Sequence, residues 1–464
     1  MSVQTPLGAS SQSGSIELSP RTLDSQRESL DTRRGVLGIA GLLALGLLVS
    51  ISAANTDSLL PESIRPIPAA LAGAFGTHGP DLHVGGVIAA LSLMFLCYAF
   101  VVRAAEQLSA RVVLMCIAAL HALVLLAPPL LSTDIFSYQA YARMGSLYGA
   151  NPYLYGPHAI ALDPVFPYVG AKWSYIPSAY GPLFTTFGYV LAPLSIAASV
   201  LAYKSIAAVA SLAIVALVWN LARLRAVNPV RAAALVGLNP LLVLYGVGGG
   251  HNDLLMQLAL VGGMYVMLIG RERSGGGLMV LAAGIKLTAG LLLPFALAAD
   301  GRLRGRGGRR SFASGAACGL VLVGALGFSA FGTGIVHLLA TLQKSQNEGD
   351  WHSIPGFIST RLGLGNVGHI TGYLLVAVFV GVCLWLLRRV WQGTTDWIAA
   401  AGWATIALLV TASSLLPWYV SWVLPLAALG RERRLLHATI ALTGAVQLIQ
   451  LLGYIPHGRS LLGL

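Results

Sequence analysis

The residue best placed to do chemistry is Asp134, in the stretch Ser132-Thr133-Asp134-Ile135-Phe136-Ser137-Tyr138 that closes a hydrophobic run. A carboxylate set where an apolar segment meets water is suited to take a proton from a hydroxyl, because its surroundings strengthen it as a base. The plainer role is an interfacial acid at the turn after a helix. The company of Asp134 favours the first reading. Residues 132–180 form a polar, aromatic, proline-punctuated stretch that carries Tyr138, Arg143, Asn151-Pro152-Tyr153, Trp173 and Tyr180. Tyrosine and tryptophan rings stack on the C–H faces of sugars, although any one of them is equally at home in an interfacial belt.

A second group is Gly248-Gly249-Gly250-His251-Asn252-Asp253. Glycines end helices and also let backbone approach a ligand closely. His251 and Asn252 then stand at a helix start, where a phosphate or a sugar hydroxyl can be bound; Asp253 serves there either as the cap or as a substrate contact. Lys286 is the third element, alone in Ala282-Ala283-Gly284-Ile285-Lys286-Leu287-Thr288. A lysine inside an apolar run is costly and implies an anionic partner, unless it snorkels to the interface. The expected partner is a lipid-linked phosphate, with His251 and Arg143 as further donors to it. Trp351, in the polar run 344–352, and Trp418 and Tyr419, in Pro417-Trp418-Tyr419-Val420-Ser421-Trp422, are candidate sugar contacts. Packing and solvated-loop roles remain the alternatives for these. No spacing of His, Asp or Cys supports a metal site, and no cofactor is called for.

The elements that must hold these groups are membrane helices. The 464 residues are 56% hydrophobic and 10% charged, far below the charged share of a soluble globule. The formal charge of +12 is better explained by membrane topology than by nucleic acid, which is not an expected partner. Residues 1–34 are rich in Ser, Thr, Gln and Arg and predict a disordered cytoplasmic tail. Residues 35–464 are expected to form one transmembrane domain. Its candidate spans are 36–54, 83–102, 112–131, 205–222, 232–248, 254–270, 311–331, 370–390, 396–413, 415–429 and 435–455.

Two further apolar stretches, 181–199 and 278–299, are broken by Pro182, Pro193, Lys286 and Pro294. If both return to the side they entered from, most of the 29 lysines and arginines fall on the cytoplasmic side, as the positive-inside bias requires. The stretch 132–180, the His251 group, the second loop 332–368 and the Trp418 group then all face outward. Broken backbone at membrane depth is tolerated where protein buries it or where it lines a watery cavity, so a cavity is expected.

Six motifs in order carry a resemblance. They are Asp134 with Tyr138, Asn151-Pro152-Tyr153 with Gly156-Pro157, and Tyr180-Gly181-Pro182-Leu183-Phe184. Gly250-His251-Asn252-Asp253-Leu254-Leu255-Met256, Ile285-Lys286-Leu287 and Pro417-Trp418-Tyr419-Val420-Ser421-Trp422 complete the set. Over residues 112–430 the chain resembles the actinobacterial alpha-1,6-mannopyranosyltransferases of lipomannan and lipoarabinomannan assembly, which are GT-C glycosyltransferases. It departs from that pattern at Asp253, where Glu is common, and at Thr288, where Pro is common.

The resemblance implies an all-α, GT-C-like polytopic protein of about 11–13 transmembrane helices. Asp134 would be its catalytic acid–base group, a polyprenyl-phosphate-mannose its donor and a mannan or glycolipid its acceptor. The expected reaction is an inverting transfer on the outer face of the plasma membrane. Two rivals are the same fold with arabinofuranose or glucose as the sugar, and a lipid-sugar transporter. The chain has no second copy of the 132–180 stretch or of the His251 group, which weighs against a transporter.

Overall fold

The structure is a computed structural model, which describes residues 20–347 and 351–454. The order of helices is α1 (Pro20–Ser52), α2 (His83–Ala104), α3 (Ala110–Leu126), α4 (Asp134–Tyr148), α5 (Pro182–Leu191) and α6 (Ile196–Leu224). Next come α7 (Pro229–Gly237), α8 (Asp253–Leu268), α9 (Glu272–Ile285), α10 (Leu293–Leu303), α11 (Gly305–Phe331) and α12 (His337–Asn347). The chain closes with the single turn α13 (Ile354–Gly356), α14 (Gly365–Gln392), α15 (Trp397–Thr411), α16 (Leu424–Leu429) and α17 (Arg433–Leu452). Among the described residues there are no strands, and the protein is an all-α, multi-pass membrane protein. Among the described residues six helices are long and apolar enough to cross a membrane, and six more apolar helical stretches are 10–17 residues long. The shorter stretches are where the backbone breaks apolar runs of the sequence, as the expected broken helices require.

Helices approach closely where the sequence supplies glycine. A Cβ on Gly38 of α1 would stand 2.8 Å from the Cys97 carbonyl oxygen of α2. With no hydrophobic drive between helices in lipid, such close packing is what holds them. The same device brings α8 and α9 together, where a Cβ on Gly275 would lie 3.0 Å from the Gly263 carbonyl oxygen.

Four expectations change. Residues 20–34, read as tail, are the first turns of α1, and residues 1–19 lie outside the described residues. The stretch 132–180 is not a continuous loop, because its first third is α4. Nearly every residue of that helix from Ile135 to Met144 is buried, so apolar and aromatic groups all round it are covered by protein. The segment 332–368 is likewise partly helical, in α12 and α13. Finally, α6 begins at Ile196, with the Ser195 hydroxyl accepting the Ala198 N–H. Lys204, which the sequence places outside the membrane span, therefore sits within the helix.

The expected break at Lys286 is present. Helix α9 stops at Ile285, Lys286 is extended (φ −148°, ψ 122°) and a 3₁₀ segment, Leu287–Leu292, follows. The interrupted backbone is satisfied by protein: the Gly181 N–H donates to the Ile285 carbonyl at 2.9 Å. A Cβ on Gly181 would come within 3.0 Å of the Ile285 carbonyl carbon. The glycine of Tyr180-Gly181-Pro182 thus explains how that motif docks on the lysine break.

Candidate active site

Asp134 is the first residue of α4, with its N–H donated to the Ser132 hydroxyl at 3.2 Å. The positive end of the helix favours its charge. Three elements converge on the carboxylate. From the tyrosine before α5, the Tyr180 hydroxyl donates to Asp134 Oδ2 at 3.4 Å. From the turn before α8, His251 Nδ1 lies 3.5 Å from the same oxygen. From α4 itself, the Tyr138 hydroxyl donates to Asn252 Oδ1 at 3.3 Å and stands 3.5 Å from His251 Nδ1.

The glycine turn makes this convergence possible. Gly250 has φ +66°, a conformation costly for side-chain-bearing residues, and a Cβ there would lie 2.7 Å from Ile135 Cδ1 at the start of α4. Burial raises the Asp134 carboxyl to about 6, with Lys286 pulling it down and Asp253 pushing it up. Its side chain keeps 15% of its exposure. At neutral pH it is therefore ionised, reachable and a stronger base than an ordinary aspartate.

Lys286 completes the electrostatics. Its Nζ lies 2.7 Å from Asp253 Oδ1, and Trp422 Nε1 donates to that same oxygen at 2.6 Å. The ammonium also sits over the rings of Tyr419 (4.7 Å) and Trp422 (5.3 Å), a placement that ring quadrupoles favour. Trp418 stacks on the His251 imidazole at 3.7 Å between centroids. Burial, and then the charge of Lys286, push the His251 imidazole well below its ordinary range, so it is neutral. Its Nε2 has no hydrogen-bond partner among the described residues.

Asp134 and Lys286 both line one cavity of about 1310 Å³, together with Tyr180, Trp418, Tyr419 and Trp351. Part of its wall is a stripe on α14, where His369, Gly372, Tyr373, Val376 and Phe379 recur at helical spacing. Among the described residues no group of three or more His, Cys, Asp or Glu is placed to hold a metal ion.

A base and a fixed cation lining one cavity suit transfer of a group to a hydroxyl. Sequence comparison points to a transferase. The family sequence model described as "Alpha-(1->6)-mannopyranosyltransferase, N-terminal domain" matches residues 35–301, more than half of the chain.

The chain belongs to this family.

The model of the MptB C-terminal domain matches residues 352–463. Alpha-(1->6)-mannopyranosyltransferase A of Mycobacterium tuberculosis is 30% identical over 358 residues, 70% of this chain and 67% of that protein. A probable alpha-(1->6)-mannopyranosyltransferase of Mycolicibacterium smegmatis is 29% identical over 370 residues, 69% of this chain and 65% of its own length. Alpha-(1->6)-mannopyranosyltransferase B of Corynebacterium glutamicum is 29% identical over 351 residues, 66% of this chain and 56% of that protein. The matches thus span about two thirds or less of these relatives. By family the protein is an enzyme, a membrane glycosyltransferase.

The structure sorts the predicted site residues of this mannosyltransferase-family chain into three layers. Asp134, Lys286, Tyr180, Trp351, Trp418 and Tyr419 face the cavity. Tyr138, His251, Asn252 and Asp253 are buried directly behind them. Arg143, Asn151 and Tyr153 are elsewhere. Arg143 is spent on Asp163, at 2.9 Å, and on the carbonyls of Ala192 and Leu194, so it ties the 132–180 stretch to the turn before α6. Asn151 donates to the Phe331 carbonyl at 2.8 Å and Tyr153 to the Tyr180 carbonyl at 2.8 Å. Both of these anchor the stretch to its neighbours and carry Tyr180 into place.

Sequence reasoning missed two groups. Trp422 was visible within its motif, but nothing in sequence shows it holding Asp253. Lys204 is 1% exposed, and its Nζ donates to the Ala127 carbonyl and, at 2.9 Å, to that of Pro128. It clamps the chain just before Asp134. A lysine inside a 29-residue apolar helix was the available signal.

Proposed function

We propose that the protein transfers mannose, with inversion, from a polyprenyl-phosphate-mannose to a hydroxyl of a mannan-type acceptor, forming an alpha-1,6 linkage. Residues 35–464 act as one catalytic unit on the outer face of the plasma membrane. The observation that carries the reading is the shared cavity, which sets the Asp134 carboxylate and the Lys286 ammonium against an apolar helix face. Tyr373 and Val376 on that face are 78% and 56% exposed, as groups turned toward lipid tails would be.

In this reading Asp134 takes the proton from the acceptor hydroxyl. The freed oxygen forms the new bond to the anomeric carbon as the bond to the phosphate oxygen breaks. The departing lipid phosphate keeps that electron pair, and Lys286 meets the charge it gathers. Fixed charge aimed at developing charge is commonly the largest catalytic term. His251, neutral and buried, orients Asp134. Single-unit behaviour is supported by the composition of the site. Asp134, His251 and Lys286 come from one matched segment and Trp418, Tyr419 and Trp422 from the other. Outward placement is supported by the charge distribution, since Arg271 and Arg273 stand at one end of α9 and Lys286 at the other.

The test uses membranes holding wild type or Asp134→Asn, with radiolabelled polyprenyl-phosphate-mannose and a short alpha-mannoside. Wild type extends the acceptor and the variant, equally abundant, does not. Equal transfer by both would remove Asp134 from the mechanism. No transfer from this donor by wild type, with transfer from another polyprenyl-phosphate sugar, would reassign the sugar.

A further inference from the structure

The cavity has a second wall that no span of the sequence suggests. Between α1 and α2 the chain makes short turns, Asp57–Leu59 and Glu62–Ile64, and Ser58, Glu62 and Arg65 from this segment face the cavity. Lys172 and Trp173, from the turn Ala171–Trp173, face it as well. The first segment is tied to the turn at Tyr168, and both segments pack on the residues just before Asp134. The Ser63 hydroxyl donates to the Tyr168 carbonyl at 2.6 Å, and the Leu131 N–H donates to the Leu59 carbonyl at 3.0 Å. A Cβ on Gly170 would stand 2.8 Å from the Thr133 hydroxyl. This wall is therefore built onto the residues just before the base, and Lys286 and the α14 stripe line the same cavity from other segments.

We propose that Glu62, Arg65, Lys172 and Trp173 form the binding site for the acceptor, a neutral polyhydroxylated sugar chain. The inference rests on the transferase reading and assigns its acceptor side. A displacement at the anomeric carbon brings the nucleophile from the face away from the leaving phosphate. The acceptor hydroxyl must also reach the base, and this wall is the one docked on the stretch that carries Asp134. The chemistry of this wall also selects its ligand. Glu62, Arg65 and Lys172 are exposed and of mixed sign, which suits hydroxyls that both donate and accept. A carboxylate on the wall disfavours a second phosphate. The Trp173 indole is half-buried, with Lys172 Nζ 5.3 Å from its ring, and it offers the apolar plate that a pyranose ring stacks on. The solvent-facing position leaves room for the rest of a long glycan.

The experiment compares wild type, Trp173→Ala, Trp173→Tyr and Glu62→Gln in membranes, with donor and alpha-mannoside titrated separately. Trp173→Ala and Glu62→Gln should each raise the acceptor KM roughly tenfold, the size of one lost contact of hydrogen-bond strength. The donor KM stays within twofold of wild type, and Trp173→Tyr recovers most of the loss. Unchanged acceptor KM in both variants overturns the inference while leaving the transferase reading intact, and so does an equal rise in both KM values. If wild type transfers to no mannoside, the transferase reading fails. Saturation-transfer NMR of alpha-mannosides with the purified full chain then decides the site alone. Ligand signal in wild type that is lost in Trp173→Ala supports it, and equal signal in both, or none in wild type, overturns it.

Discussion

Replacing Asp134 with asparagine should abolish transfer and at the same time stabilise the protein above pH 6. The folded carboxyl lies at about 6 against an ordinary 3.8, chiefly because burial penalises its charge. A carboxyl whose pKa is raised on folding contributes stability that is fully present below its unfolded pKa. That contribution is lost as pH rises through the folded value. Between pH 4 and pH 6 wild type therefore gives up stability that the neutral amide keeps. A displacement of this size corresponds to about 3 kcal/mol, which for a chain of this length is a shift of a few degrees in apparent melting temperature. The assay is thermal unfolding of detergent-solubilised wild type and Asp134→Asn at pH 4 and pH 8. The gap in favour of the variant should open between those values. Equal melting at both pH values, or a gap favouring wild type at pH 8, would refute the account of Asp134 as a buried carboxylate held ionised for its chemistry.

Three further outcomes follow from the same geometry. The acid limb of the wild-type rate profile should fall near pH 6, where Asp134 takes up its proton. In Asp253→Asn it should move lower, because the charge that pushes the Asp134 carboxyl up is gone; a limb at or above the wild-type value counts against the assigned electrostatics. Lys204→Met leaves the Ala127 and Pro128 carbonyls without their buried donor, at a cost of about 1–3 kcal/mol, and should lower kcat far more than it raises either KM, as steady-state kinetics will show. Arg143→Ala removes the only cationic partner shown among the described residues for the fully buried Asp163 side chain, which keeps the Tyr148 hydroxyl and the Val165 N–H. It should cost about 3 kcal/mol of stability or less with the donor KM unchanged, and a raised donor KM would return Arg143 to the phosphate.

The sequence by itself determined the membrane class, the place of Asp134 at the end of an apolar run and the break at Lys286. These are local facts. A lone charge in an apolar run is costly wherever the run is placed, and Pro294, in the first turn of α10, marks a helix start that its own backbone chemistry favours. The Tyr180-Gly181-Pro182 and Gly250-His251-Asn252-Asp253 motifs were legible for the same reason, as glycine needed for close approach beside polar groups.

Only the tertiary structure decided which polar groups meet. Lys286 and Asp253 are 33 residues apart, and the Trp422 that fixes them is 169 residues beyond Asp253. Arg143 lies nine residues past Asp134, close enough in sequence to have been assigned to the phosphate, yet it is directed to Asp163. The segment 57–65 gave no signal at all, since its turns acquire meaning only by docking on 128–134 and 166–173. Pairing between distant segments depends on how helices pack, and the spacing of residues along one chain does not contain that packing.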